Sequence, residues 1–88
     1  MAVSFSSSFK RTFKKCIKNN TDLETRFWQK LEQFTVDPFA PNLKTHKLSV
    51  NLKEFWSFSV DDDARVLFYF TDDDKTVFVD IGSHDEVY

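Results

Sequence analysis

Glycine occurs once in this 88-residue chain, at Gly82, and proline twice, at Pro38 and Pro41. A chain so poor in both lacks the composition that keeps linkers and tails unfolded. With one glycine there is also no glycine-rich loop to cradle a phosphate. Cysteine occurs once, at Cys16, so no internal disulfide can form, which fits a reducing compartment. Beside Ile17, Cys16 reads as a small apolar residue rather than a reactive thiol. No apolar run approaches the length of a secretory signal or a membrane span, and the longest, from Val66 to Phe70, is strand-sized. The expected location is the cytoplasm, with no membrane partner.

Aromatic residues are abundant: eleven phenylalanines, two tryptophans and two tyrosines. The length predicts one domain, residues 1–88. A domain of this size buries only roughly 60–65% of its unfolded surface, so its core must be dense, and large rings supply that density. The net charge of −2 hides an asymmetry. Residues 1–53 hold ten Lys/Arg against four Asp/Glu, a net of +6, while residues 54–88 hold two against ten, a net of −8. The basic half can face a polyanion. The acidic half cannot be read that way, and its triplets, Asp61 to Asp63 and Asp72 to Asp74, read as soluble turns.

Phe5, Phe9, Phe13 and Ile17 recur every four residues with Cys16 beside them, which predicts one face of a helix. Lys10, Lys14 and Lys18 form a second row, with Arg11 and Lys15 next to it. Ser6, Ser7 and Ser8 are candidate N-caps, and Asn19-Asn20 is expected to end the helix. Thr21-Asp-Leu-Glu24 matches a capping box for a second helix, whose stripe is Leu23, Phe27, Leu31 and Phe34. Asp37-Pro38 should stop it, because proline disfavours helix in the residue before it. Two helices joined by a tight turn pair antiparallel, and their aromatic stripes need a common cover.

Strands supply that cover. Trp56, Phe58 and Val60 alternate with Ser57 and Ser59. Val66, Phe68 and Phe70 alternate again, as do Val77, Val79 and Ile81. Residues 61–63 and 71–75 are the turns. The predicted order is two helices then three strands, with room for a short extra strand near Leu43 to Leu48. The fold class is therefore α+β: two N-terminal antiparallel helices packed on a small twisted antiparallel sheet of three to four strands. Past the last strand come His84 and the aromatic Tyr88. A histidine there titrates near neutral pH with little help, and Arg65 on the adjoining strand offers a permanent positive charge.

In order and spacing, Leu43-Lys-Thr-His46-Lys-Leu48, Phe55-Trp56-Ser-Phe-Ser-Val60, Arg65-Val-Leu-Phe-Tyr69 and Ile81-Gly-Ser-His84-Asp-Glu-Val-Tyr88 together resemble the RelE/ParE superfamily of toxins from bacterial type II toxin–antitoxin pairs. The branch they are most similar to is the YafQ-type mRNA interferases. The resemblance implies the fold just described and a toxin that cuts mRNA in the ribosomal A site without a metal or other cofactor. In that reaction the 2′-OH attacks the adjacent phosphorus and the 5′-oxygen leaves. It needs a base, an acid and positive charge on the phosphoryl oxygens. By resemblance His84 is the general acid and His46 the base, although residue types alone leave open which histidine gives the proton and which takes it. Asp63 orients or deprotonates, and Arg65 stabilises the transition state. Lys44 and Lys47 hold phosphates, Tyr88 stacks on a base, and the helix face with Lys14 and Lys18 meets ribosomal RNA. A cognate antitoxin protein is the implied partner.

The chain departs from the pattern at three positions and in its net charge, which is mildly acidic where active relatives are commonly basic. Val50 and Glu54 stand where relatives often carry glycine, and Ser59 stands where some members have a second histidine. No short-range spacing such as His-x-x-x-His supports a metal site from His46, Asp63 and His84. Two other readings remain: a non-enzymatic toxin of the ParE kind that poisons DNA gyrase, and an inactive relative that only binds antitoxin.

Overall fold

The structure is a computed structural model that describes residues 1–50 and 53–83. Strand β1 (Ala2–Phe5) leads into helix α1 (Ser7–Ile17) and helix α2 (Thr21–Val36). A 3-10 turn (Pro41–Leu43) precedes strands β2 (His46–Val50), β3 (Lys53–Ser59), β4 (Ala64–Phe70) and β5 (Lys75–Ser83). The sheet order is β1-β5-β4-β3-β2. The class is α+β as expected, with five strands instead of three to four. The sheet is mixed, because β1 runs parallel to β5 with Phe5 opposite Phe78. No helix among the described residues is long and apolar enough to cross a membrane.

Strand β1 is the element the helical stripe concealed. Phe5 fits a period of four with Phe9, but it also fits a period of two with Val3, and the period of two prevails. Ser6 decides the boundary: it stays extended, and its Oγ accepts from the Phe9 backbone N–H at 3.0 Å. That is an N-cap, so α1 begins after it. Phe5 still meets Phe9, with ring centroids 5.0 Å apart. The second helix is capped one residue earlier than the Thr21 capping box implies. Asn20 Oδ1 accepts from Leu23 N–H at 3.2 Å, while Asn19 takes the left-handed conformation that lets the chain turn.

The core is a stack of rings. Phe9, Phe27, Phe34, Phe58, Phe68 and Phe78 are all fully buried. Phe78 lies at the centre, within about 6 Å of the rings of Phe9, Phe34 and Phe58 in edge-on or tilted arrangements, the geometry aromatic quadrupoles favour. Each such burial contributes on the order of 1.5–3 kcal/mol. Trp56, Phe58 and Val60 face this core, as do Val66, Phe68 and Phe70.

The alternation expected for β5 is shifted. Thr76, Phe78 and Ile81 are buried, while Val77 and Val79 are only half-buried. The cause is a β-bulge: Leu67 pairs with Asp80 and Phe68 with Phe78, which leaves Val79 unpaired. One extra residue flips the facing of everything beyond it. The Val79 carbonyl instead accepts from Ser8 Oγ at 2.8 Å, which ties α1 to the sheet.

Candidate active site at one end of the sheet

Strand register decides which residues meet. His46 opens β2 and pairs with Ser57 of β3; Ser59, two residues further, pairs with Arg65 of β4; Arg65 pairs with Gly82 of β5. Paired residues, and residues two apart, share a face. His46, Ser57, Ser59, Arg65 and Gly82 therefore lie on the sheet face opposite the phenylalanine core. They lie at the end where β5 closes on Ala64 at Ser83 and the chain continues to His84. The Cα atoms of His46 and Arg65 are two strands and two residues apart, roughly 12 Å. His84 and Tyr88 themselves lie outside the described residues.

His46 is exposed, and its Nδ1 is 3.0 Å from the Lys44 carbonyl oxygen. A carbonyl only accepts, so Nδ1 is the donor of this bond. The carbonyl is aimed by backbone conformation: Lys44 is left-handed, with φ 53° and ψ 40°, as it ends the 3-10 turn. The Lys44 side chain is exposed beside this turn.

Arg65 is half-buried, and its Nη1 donates to Ser59 Oγ and to the Asp61 backbone carbonyl, both at 2.9 Å. Among the described residues no carboxylate pairs with it, although three aspartates precede it. Asp61 spends its carboxylate elsewhere. Its Oδ1 accepts from the N–H groups of Asp63 and Ala64 at 2.9 and 2.7 Å, an Asx-type turn. Its Oδ2 meets Arg26 of α2 at 3.4 Å. The Asp61 carboxylate is therefore engaged by backbone and helix, and among the described residues no carboxylate reaches Arg65.

The other candidates are dispersed. Asp63 is exposed on the helix side of the turn, where it lines one hollow with Arg26 and Lys30 and another with Cys16, Asn20 and Leu23. Lys47 pairs across the sheet with Trp56, so it projects from the core face, away from His46, and its Nζ meets Glu54 at 3.1 Å. Glu54 thus lies within β3 as an ion-pair partner, and Val50 of β2 pairs with Lys53 of β3, so neither stands in a loop. Lys10, Arg11, Lys14, Lys15 and Lys18 are all exposed on α1, and none pairs with a carboxylate among the described residues. No three His, Cys, Asp or Glu side chains converge as metal ligands among the described residues. The residues missed in the sequence are Ser59 and Asp61. The available signal was a strand ending in Ser-x-Asp before a turn, the pattern by which short polar side chains bond their own backbone.

Comparison with known proteins adds the family. Residues 1–88 match the family model described as a bacterial toxin of type II toxin–antitoxin systems, YafQ. A metal-bound toxin from Helicobacter pylori is 26% identical over 100% of this chain and 99% of its own, with a TM-score of 0.78. E. coli YafQ, in its complex with DinJ, is 20% identical over 98% of this chain and 96% of its own, with a TM-score of 0.76. A YoeB/ParE toxin from Agrobacterium tumefaciens has the same fold at 13% identity, covering 96% and 99% of the two chains, with a TM-score of 0.79. Among curated proteins nothing matches.

Proposed function

The chain belongs to the YafQ family of bacterial toxins of type II toxin–antitoxin systems, and on that premise we propose that it is a cytoplasmic, ribosome-dependent mRNA endoribonuclease. The observation that carries this reading is the register that puts His46 and Arg65 on one face at one end of the sheet. In the proposed reaction His46 Nε2 takes the proton from a 2′-OH. The 2′-oxygen bonds to the adjacent phosphorus, and the P–O5′ bond breaks. A 2′,3′-cyclic phosphate is left on one fragment. His84 gives its proton to the departing 5′-oxygen, which becomes a hydroxyl. Arg65 stabilises charge on the non-bridging oxygens, and no metal takes part in a step. A positioned acid or base of this kind contributes typically about 10²–10⁴-fold.

The remaining roles follow the resemblance. Lys44 holds a phosphate next to His46, with Lys47 at the adjoining edge of the sheet. Asp63 orients the reactive end, and Tyr88 stacks on a base. Lys14 and Lys18, within the five-cation face of α1, meet ribosomal RNA in the A site. Such contacts weaken steeply with salt. A cognate antitoxin is the protein partner, as DinJ is for E. coli YafQ. The test is cleavage of a ribosome-bound message by wild type and by His46→Ala, Arg65→Ala and His84→Ala proteins that remain folded. Undiminished cleavage by all three variants sinks the proposal.

One observation favours a second reading. Lys47 lies on the face away from His46 and pairs with Glu54, which leaves fewer cations beside the candidate site and suits a relative that holds antitoxin without cutting. Harmless expression of soluble wild type without antitoxin is the outcome that selects it.

A further inference from the structure

The geometry points to Ser59 and Asp61 as positioning residues that hold Arg65 by one nitrogen and present the rest of its guanidinium to a phosphoryl group. This rests on the RNA-cutting reading above. Arg65 Nη1 has two hydrogens, and they are directed at the Ser59 hydroxyl and the Asp61 carbonyl at 2.9 Å, with the Ala64 carbonyl at 3.5 Å. The hydroxyl is itself fixed, because Ser59 Oγ donates to the same Asp61 carbonyl at 2.7 Å. Its lone pairs are thereby turned toward the arginine. The Asp61 carbonyl is fixed in turn: the side chain of the same residue caps the turn through Asp63 and Ala64 and reaches Arg26 on α2. The arginine is thus anchored through a hydroxyl, a peptide carbonyl and a turn.

Both acceptors are neutral, and this is the physical point. A carboxylate at Nη1 would hold the guanidinium equally well but cancel the charge a phosphoryl transition state requires. A hydroxyl and a carbonyl orient it and leave the charge. Nε–H and the two Nη2 hydrogens remain, with no partner among the described residues. The Nε/Nη2 edge is the side-on fork that matches two non-bridging phosphate oxygens. Orienting the side chain before substrate arrives removes an ordering cost from the reaction.

The test uses the full chain and ribosome-bound mRNA. Ser59→Ala is expected to lower kcat about tenfold with KM nearly unchanged, the loss of one hydrogen bond to a charged group. Ser59→Thr, which restores the hydroxyl, is expected to recover most of that loss. In an Arg65→Gln background Ser59→Ala is expected to cost nothing further, because the group it serves is gone. Equal losses in both backgrounds overturn the proposal. A second measurement does not depend on cleavage. Nitrogen-15 spectra should show slow rotation of the Arg65 guanidinium in wild type, fast rotation in Ser59→Ala, and a shift of the Arg65 Nε–H on addition of inorganic phosphate. Free rotation in wild type overturns the proposal. Slow rotation in a wild type that cuts no RNA supports the anchoring and removes the RNA-cutting reading instead.

Discussion

The chain contains two aspartate triplets, Asp61 to Asp63 and Asp72 to Asp74, each in the turn of a hairpin. They have the same composition and different consequences. The first is integrated into the molecule. Asp61 caps two backbone N–H groups, pairs with Arg26 on another element and lends its carbonyl to Arg65. The second is local. Thr71 Oγ1 donates to Asp73, Lys75 meets Asp73 at 3.4 Å, Thr71 N–H donates to the Lys75 carbonyl at 2.8 Å, and Asp74 takes the left-handed conformation that closes the turn. Every group in that set lies within five residues of the others. Acidity alone therefore does not mark a site. What distinguishes the first triplet is the arginine one residue past a buried alanine, at the end of the sheet where β2 begins.

The comparison can be broken most severely at Arg65. Arg65→Ala is expected to reduce single-turnover mRNA cleavage by about 10²–10³-fold, while melting temperature changes little. A large fall in stability with unchanged cleavage would contradict the role assigned to the first turn. Next in size is Asp61→Ala, which strips two backbone N–H groups of their acceptor and releases Arg26. About 2 kcal/mol of stability should be lost, read as a drop of roughly 10 °C in melting temperature for a domain this small. Asp72→Ala, in the second turn, is expected to stay within about 0.5 kcal/mol. Asp61→Asn sharpens the contrast, since it keeps the oxygen that caps the turn and loses only the charge facing exposed Arg26. Denaturant midpoints should place it close to wild type, because such pairs contribute about 0–1 kcal/mol.

The smallest effect belongs to Asp73. The Thr71 hydroxyl, aided by Lys75, holds its carboxyl below the usual carboxylate range. A carboxyl whose folded pKa is depressed stabilises the fold above its unfolded pKa, and that contribution is lost as pH falls through the folded value. Asp73→Asn should therefore unfold slightly more easily than wild type near neutral pH, and the difference should vanish on acidification below the carboxylate range. A gap that widens in acid would reverse the assignment.

Much of the fold was legible because it is written in local periods. The stripe from Leu23 to Phe34 and the alternations around Phe58 and Phe68 each turn toward the core the residues that period demands, with Leu31, Trp56 and Phe70 partly buried at its margin. The failures share one cause. Phe5 satisfied two periods at once, and the Ser6 cap together with the pairing of β1 to a strand more than seventy residues away resolved it. Val79 kept the alternation on paper but lies at a bulge that exists only opposite β4. The site divides in the same way. His46 and Arg65 were legible from residue type and resemblance. Lys47 was grouped with His46 by adjacency, and the pleat of β2 sends the two to opposite faces.

By itself, then, the sequence determined the helices, the turns, the aromatic core and the residue types that phosphodiester chemistry uses. These follow from side-chain periodicity and from bonds that reach only a few residues. Only the tertiary structure decided the strand order, the parallel edge strand, the bulge and the union of His46, Ser59 and Arg65 on one face. It also decided that the first aspartate of its triplet serves the arginine through a peptide carbonyl, an atom every residue carries. Those outcomes depend on pairings between distant segments, whose closure entropy and register are settled by the whole core at once.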